Sequence, residues 1–320
     1  MYSVFMDHLV NFLPERWVEK SGGPLIRAIA KIYSIKSPYN IDYGNLHLSW
    51  PWGLSSGWAD SIAKMNALSK LGAGLVVSKT ITLHPRYGNP YPRVLRQKPL
   101  MINSMGLPNP GLKYWVTHLN QIDNIPQNFV FSLNGETVRE WQILIRHMKK
   151  YNRILELNFS CPNVSDGVID LESTESILKD INQHADGIEF FLKLSPQYSD
   201  EQLLDLVDLC MDNNFITGIS LFNTYPVTNQ ALGNLRKAGG LSGPILYPRV
   251  TQILKKLRKK YPRVDQLPIL AMGGISSYDQ AKEIFQTYNS LPLVLTAFLM
   301  QGPFIFKDWM ENYSKDNFYV

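Results

Sequence analysis

Cys161 is the residue of this sequence best suited to move a proton. It sits in Asn158-Phe-Ser-Cys-Pro-Asn163, between two asparagines. A thiol serves as a general base when it faces an acidic C–H at a pH near its own pKa, and the free value is about 8.5. The competing reading is a small buried residue in a turn. Cys210 lies in a run of helical period, 203–211, and reads as core filler. Lys79 and Lys193, and the amides Asn103, Asn134, Asn158, Asn163 and Asn223, stand at or just beyond the ends of short apolar runs. An asparagine offers donors and an acceptor in one plane, and buried amide or ammonium groups are costly unless satisfied. Gathered at one place, they suit a planar polar ligand beside something anionic or electron-accepting. Gly273-Gly274 follows another apolar run. With Gly239-Gly240-Leu-Ser-Gly243 and Thr296 it suits a phosphate held by backbone N–H groups, and a plain turn is the alternative. No carboxylate pair stands at these ends, which argues against glycosidase chemistry. The six histidines are scattered without metal-ligand spacing, so no metal is expected.

The elements that must position these residues alternate. Eight short apolar runs, 52–55, 74–78, 129–133, 154–157, 189–194, 216–221, 268–271 and 292–296, read as strands. Segments of helical period lie between and after them, at 60–71, 138–149, 174–183, 200–212, 248–260, 278–286 and 303–313. Such alternation implies parallel strands with helical crossovers, and eight units favour an α/β fold closed as a (β/α)8 TIM barrel. Such a barrel needs about 250 residues. The chain has 320, so a surplus must be placed. Residues 1–45 form an expected N-terminal helical extension and residues 46–320 the barrel. Within the extension, 24–35 puts Leu25, Ile29, Ile32 and Tyr33 on one stripe. That helix either packs on its own barrel or meets a membrane surface or partner. The Pro-, Arg- and Gly-rich segment 82–101 reads as a loop or small hairpin above the barrel mouth.

Composition narrows the function classes. The chain is 45% apolar and 18% charged, which is globular. A net charge of +5, with no long basic tract, gives no reason to expect nucleic acid. Two cysteines cannot form a disulfide framework, which favours a reducing, cytoplasmic setting. No apolar run has spanning length, and the N-terminus lacks the features of a secretory signal.

Five motifs together resemble a known family: Tyr-Gly-Asn-Pro-Tyr-Pro-Arg (87–93), Ile-Asn-Ser-Met-Gly-Leu-Pro-Asn (102–109), Asn-Phe-Ser-Cys-Pro-Asn (158–163), Lys-Leu-Ser-Pro (193–196) and Gly-Gly-Leu-Ser-Gly-Pro (239–244). In this order they look like dihydroorotate dehydrogenase. The resemblance covers about 51–306. It implies an FMN-containing barrel that oxidises dihydroorotate to orotate in pyrimidine biosynthesis. The family's orotate-binding asparagines fall on Asn103, Asn158, Asn163 and Asn223, with Thr224 beside the last. Its base falls on Cys161, taking a proton from C5 while hydride passes from C6 to flavin N5. Lys79 and Lys193 match flavin-contacting lysines. Ser55, Gly57, Thr80, Ser132, Asn134, Gly243, Gly273, Gly274 and Thr296 complete the implied FMN contacts. An alternative is a related flavin barrel acting on another reduced pyrimidine, and a non-enzymatic barrel is a third reading.

The subclass is a mosaic. Cysteine as base and Lys79 after the second strand resemble the class 1 enzymes. The N-terminal extension and Leu13-Pro14-Glu15-Arg16 resemble the quinone-using class 2. The resemblance therefore implies an acceptor that is quinone, fumarate, or a partner flavoprotein subunit carrying electrons to NAD. This chain has no iron–sulfur cysteine set of its own. The resemblance further implies a homo-oligomer, and peripheral contact with the inner face of a membrane through the N-terminal helices. Two departures stand out: Leu295-Thr296 where the family usually has Gly-Thr, and Ser132 where many members have Asn.

Overall fold

The computed structural model describes residues 15–159, 171–183, 187–212, 214, 216–228 and 238–317. Eight parallel strands close a barrel: β3 (Gly53–Leu54), β4 (Leu75–Val77), β7 (Phe129–Leu133), β8 (Ile154–Asn158), β9 (Glu189–Lys193), β10 (Gly218–Leu221), β13 (Ile269–Met272) and β14 (Leu291–Val294). They pair in chain order, and β14 returns to β3. Each expected strand is present within one or two residues at either end. The strands are apolar on both faces because both are covered. Leu155, Leu157 and Leu192 face the helices, while Val77, Val130, Ile154 and Phe191 fill the interior. The fold is therefore the expected (β/α)8 barrel.

The helices are α1 (Glu15–Ile32), α2 (Ile62–Lys70), α3 (Gly111–Leu119), α4 (Val138–Met148), α5 (Leu171–Asn182), α6 (Asp200–Asp212), α7 (Tyr247–Lys260), α8 (Tyr278–Tyr288), α9 (Thr296–Gln301) and α10 (Ile305–Asn317). Side-chain caps start several of them: Ser61, Thr137 and Ser277 each accept from the N–H three residues on.

Two features correct the sequence reading, and a third adds to it. The N-terminal helix runs from Glu15, through Pro24, to Ile32, so the proline lies inside it rather than opening it. Its buried side is Ile26, Ile29 and Ala30, packed on α2, whereas Leu25 and Ile32 are 42% and 75% exposed. The sequence carries two overlapping stripes at helical spacing, and the one with the smaller residues allows the closer approach. The second feature is an antiparallel sheet above the barrel. The hairpin of β5 (Val94–Gln97) and β6 (Leu100–Asn103) joins β11 (Tyr225–Thr228) and β12 (Ala238–Ser242), in the order β11-β12-β6-β5. Residues 239–242, expected in a phosphate loop, are thus a strand paired with β6, which leaves Gly243 beyond it. The third is a hairpin, β1 (Ile41–Tyr43) and β2 (Leu46–Leu48), across the expected 45/46 boundary. Tyr43, Leu46 and Leu48 join the interior cluster with Leu75 and Leu291 and close the N-terminal end of the barrel. The Tyr43 hydroxyl lies 2.8 Å from the Ile269 carbonyl and 3.1 Å from that of Asn289.

Candidate active site

The C-terminal strand ends surround a cavity of about 740 Å³. Its geometry follows from the barrel, because side chains just past each strand turn inward over the same mouth. Lys79 stands two residues after β4, Asn158 ends β8, Lys193 ends β9, and Asn223 and Thr224 follow β10. All five line the cavity, as do Ser55, Gly57, Thr80, Asn103, Gly243, Gly273, Gly274 and Thr296. Asn103 arrives from above, at the end of β6, so the antiparallel sheet supplies the roof.

Hydrogen bonds fix how these groups point. Asn158 Nδ2 donates to Thr80 Oγ1 at 2.9 Å. The same hydroxyl meets Ser132 Oγ at 3.1 Å and Ser56 Oγ at 3.2 Å. Asn103 Nδ2 donates to the Gly240 carbonyl at 3.2 Å, and Asn223 Oδ1 accepts from Thr224 N–H at 2.9 Å. Ser132 and Asn134 do not line the cavity. Ser132 braces Thr80 from behind, and Asn134 Nδ2 donates to the Asn158 carbonyl at 2.8 Å. Cys161 and Asn163 lie outside the described residues.

At the other end of the cavity, Gly243, Gly273 and Gly274 come together. Gly274 has φ of +83°, and a Cβ there would stand 2.5 Å from the Tyr247 nitrogen and 2.8 Å from the Gly243 carbonyl oxygen. Only glycine fits, which lets the backbone at 243, 247 and 274 pack closely beside the cavity. Leu295, in the place of the family's usual glycine, has φ of −134° and no left-handed strain. Its side chain packs toward Gly57, with Cδ2 2.7 Å from where a Cβ on residue 57 would stand. The cavity thus has a cationic and amide-rich end, a glycine cradle and buried hydroxyls. That donor set fits a flavin with a phosphorylated tail.

The sequence reading missed several lining residues. Arg93, Arg96 and Lys98 reach the cavity from the β5–β6 hairpin, and Trp58 and Lys64 from the first strand's loop and α2. For the hairpin residues, the Pro-, Arg- and Gly-rich segment 82–101 above the barrel mouth was the available signal. Other motif residues turn out to hold loops together. Asn89 Nδ2 donates to the Ser104 carbonyl at 2.9 Å, and Arg93 donates to the Tyr87 carbonyl and Tyr91 hydroxyl. Asn109 ties Thr82, Leu107 and Gly111.

Comparison with known proteins agrees with this geometry. A family model described as dihydroorotate dehydrogenase matches residues 40–315. The catalytic subunit of dihydroorotate dehydrogenase B (NAD(+)) from Carboxydothermus hydrogenoformans is 35% identical over 232 residues, 68% of this chain and 72% of that one. A putative dihydroorotate dehydrogenase A (fumarate) from Aquifex aeolicus is 29% identical, covering 83% of this chain and 89% of its own. A dihydroorotate dehydrogenase (quinone) from Vibrio parahaemolyticus is 28% identical, covering 82% and 83%. Among solved structures, the Eimeria tenella enzyme in complex with ferulenol superposes with a TM-score of 0.79 at 21% identity, over 96% of this chain and 93% of that one. This last likeness concerns the fold.

Proposed function

The chain belongs to the dihydroorotate dehydrogenase family, and from that membership we propose how its own residues divide the work. It is an oxidoreductase that converts dihydroorotate to orotate in pyrimidine biosynthesis, with a flavin as its redox group. The assignments that follow are our reading of the site. One observation carries them: Asn103, Asn158, Asn223, Lys79 and Lys193, from five separate strand ends, converge on one cavity.

Asn103, Asn158 and Asn223, with Asn163 and Thr224, hold the pyrimidine by its alternating N–H and C=O edge. Thr80 keeps the Asn158 amide from turning, so the donor face is set before substrate arrives. Cys161 takes the C5 proton, its thiolate becoming a thiol. A flavin held by these residues would supply the acceptor for the C6 hydride. Lys79 and Lys193 place positive charge where the reduced flavin needs it. Gly243, Gly273, Gly274 and Thr296 support FMN in particular, since the cradle suits one phosphate. Ser55 and Gly57 lie along its path, and Ser132 and Asn134 support it from behind.

Trp58, which packs beside Gly22 of α1, lines the cavity together with Leu299 and Met300. This apolar wall supports a lipophilic acceptor, a quinone, over fumarate or a partner flavoprotein subunit. The exposed Leu25 and Ile32 of α1, with Tyr33 just beyond its end, support peripheral contact with the inner face of a membrane, the rest of the chain being cytoplasmic in this reading. No helix among the described residues is long and apolar enough to cross one. Residues 1–45 then form the accessory segment and 46–320 the FMN barrel, with the β1–β2 hairpin joining the two. The edge strands β5 and β11, with Tyr225 exposed, support a homo-oligomer.

The test is a titration of the purified full-length protein, first stripped of flavin and then reconstituted. We expect FMN, and not FAD or riboflavin, to reconstitute the flavin spectrum. Orotate should perturb that spectrum at lower concentration than uracil. Tighter uracil binding would overturn the substrate assignment, and a colourless protein after FMN is offered would overturn the cofactor assignment.

A further inference from the structure

Glu156 is the sole buried carboxylate among the described residues, at 0% exposure. It lies inside the barrel. On β8, Leu155 and Leu157 belong to the helix-facing cluster and Ile154 to the interior one, so alternation turns Glu156 and Asn158 inward. On β9, Phe191 is interior, which turns Lys193 the same way. Lys193 Nζ stands 3.5 Å from Glu156 Oε1. Lys193 lines the cavity, and Glu156 does not. The carboxylate therefore sits beneath the ammonium, on the side away from the cavity.

As a stabilising device this arrangement is poor. The single contact is long, and Glu156 Oε2 has no hydrogen-bond partner among the described residues. Burying a charge on these terms costs more than a well-packed apolar residue would. The neighbouring strand positions are filled by Ile154, Leu155 and Leu157, so an apolar residue at 156 is compatible with the strand. What the carboxylate does supply is field. In a low-dielectric interior a charge a few ångströms from an ammonium changes what that ammonium presents to anything above it.

We propose that Glu156 is a positioning residue for Lys193, holding its ammonium at the cavity floor and offsetting part of its charge, so that the bound flavin has a lower reduction potential than Lys193 alone would set. The inference rests on the flavin reading given above. A reduced flavin carries added negative charge, which a cation stabilises and a carboxylate behind that cation destabilises. Removing the carboxylate should make reduction easier.

The experiment is dye-equilibrated reduction of the substrate-free holoprotein at neutral pH. Glu156→Gln and Glu156→Met both remove the charge at similar volume. Each should shift the reduction equilibrium about tenfold toward reduced flavin, a rise of about 30 mV for a two-electron couple. Glu156→Asp keeps the charge and should stay near the wild type. Failure of the wild type to hold any flavin would sink the cofactor reading instead, and is seen before any variant is made. Potentials unchanged in Gln and Met, an equal shift in Asp, or loss of folding in both Gln and Met would each assign the pair to the fabric of the barrel and overturn the inference.

Discussion

Of the two cysteines, Cys210 is set apart from the proposed base Cys161 by its burial. Burial pushes the Cys210 thiol up to about 12, and the charge of Glu175 adds to the effect. A thiol of that kind neither takes protons from carbon nor reacts readily near neutral pH. Cys161 stands in the motif that also carries Asn158, at the C-terminal end of β8. Cys161→Ser should slow flavin reduction by dihydroorotate about 100-fold or more at pH 7, because serine is far less acidic. Stopped-flow reduction measures this, and a near-wild-type rate across pH would refute the base assignment. The proposed polar residues were legible because each follows an apolar run, and a strand end is where a barrel exposes chemistry. Asn103, Asn158, Lys193 and Thr224 all meet the cavity on that logic. Glu156 was not legible. A lone charge in Ile-Leu-Glu-Leu looks like the solvent face of a strand, and only barrel closure turns that face into an interior.

At the scale of elements, the parallel strands were readable because they are short, apolar and evenly interrupted by helical segments. The antiparallel sheet was not. A loop or small hairpin was expected in 82–101, and β5–β6 is a hairpin, but its pairing with the distant β11–β12 had no sequence signal. Ion pairs between helices were equally invisible. Asp200, at the start of α6, accepts from Arg249 and Lys256 of α7, and from Gln252 at 3.0 Å. Hydrogen bonds from Lys256 and then Arg249 hold its carboxyl below the ordinary range. A lowered folded value means the stabilisation is present above the unfolded value, about 4, and fades as pH falls through the folded one. Asp200→Asn should therefore lose about 1 kcal/mol at pH 7, a modest figure because Lys256 is half-exposed. Its deficit against the wild type should shrink below about pH 4. Thermal unfolding at a series of pH values checks both, and a deficit that grows on acidification would contradict the sign.

At the scale of the whole molecule, α1 sits beside the cavity without contributing to its polar end. It buries Ile26, Ile29 and Ala30 against the barrel's first helix and leaves Leu25 and Ile32 outside. Deleting residues 1–35 should cost stability, yet leave FMN and orotate binding intact. The same deletion should slow reoxidation by quinone and weaken binding to anionic vesicles. Loss of FMN binding would make the segment part of the barrel proper, and unchanged quinone kinetics would separate it from the acceptor. The hairpin of Tyr43, Leu46 and Leu48 makes the barrel a cul-de-sac. Among the described residues that end offers no back door, so the traffic of substrate, product and oxidant falls to the opposite rim. Arg96, Lys98 and Trp58 stand along that rim, where a departing orotate and an arriving oxidant must take turns.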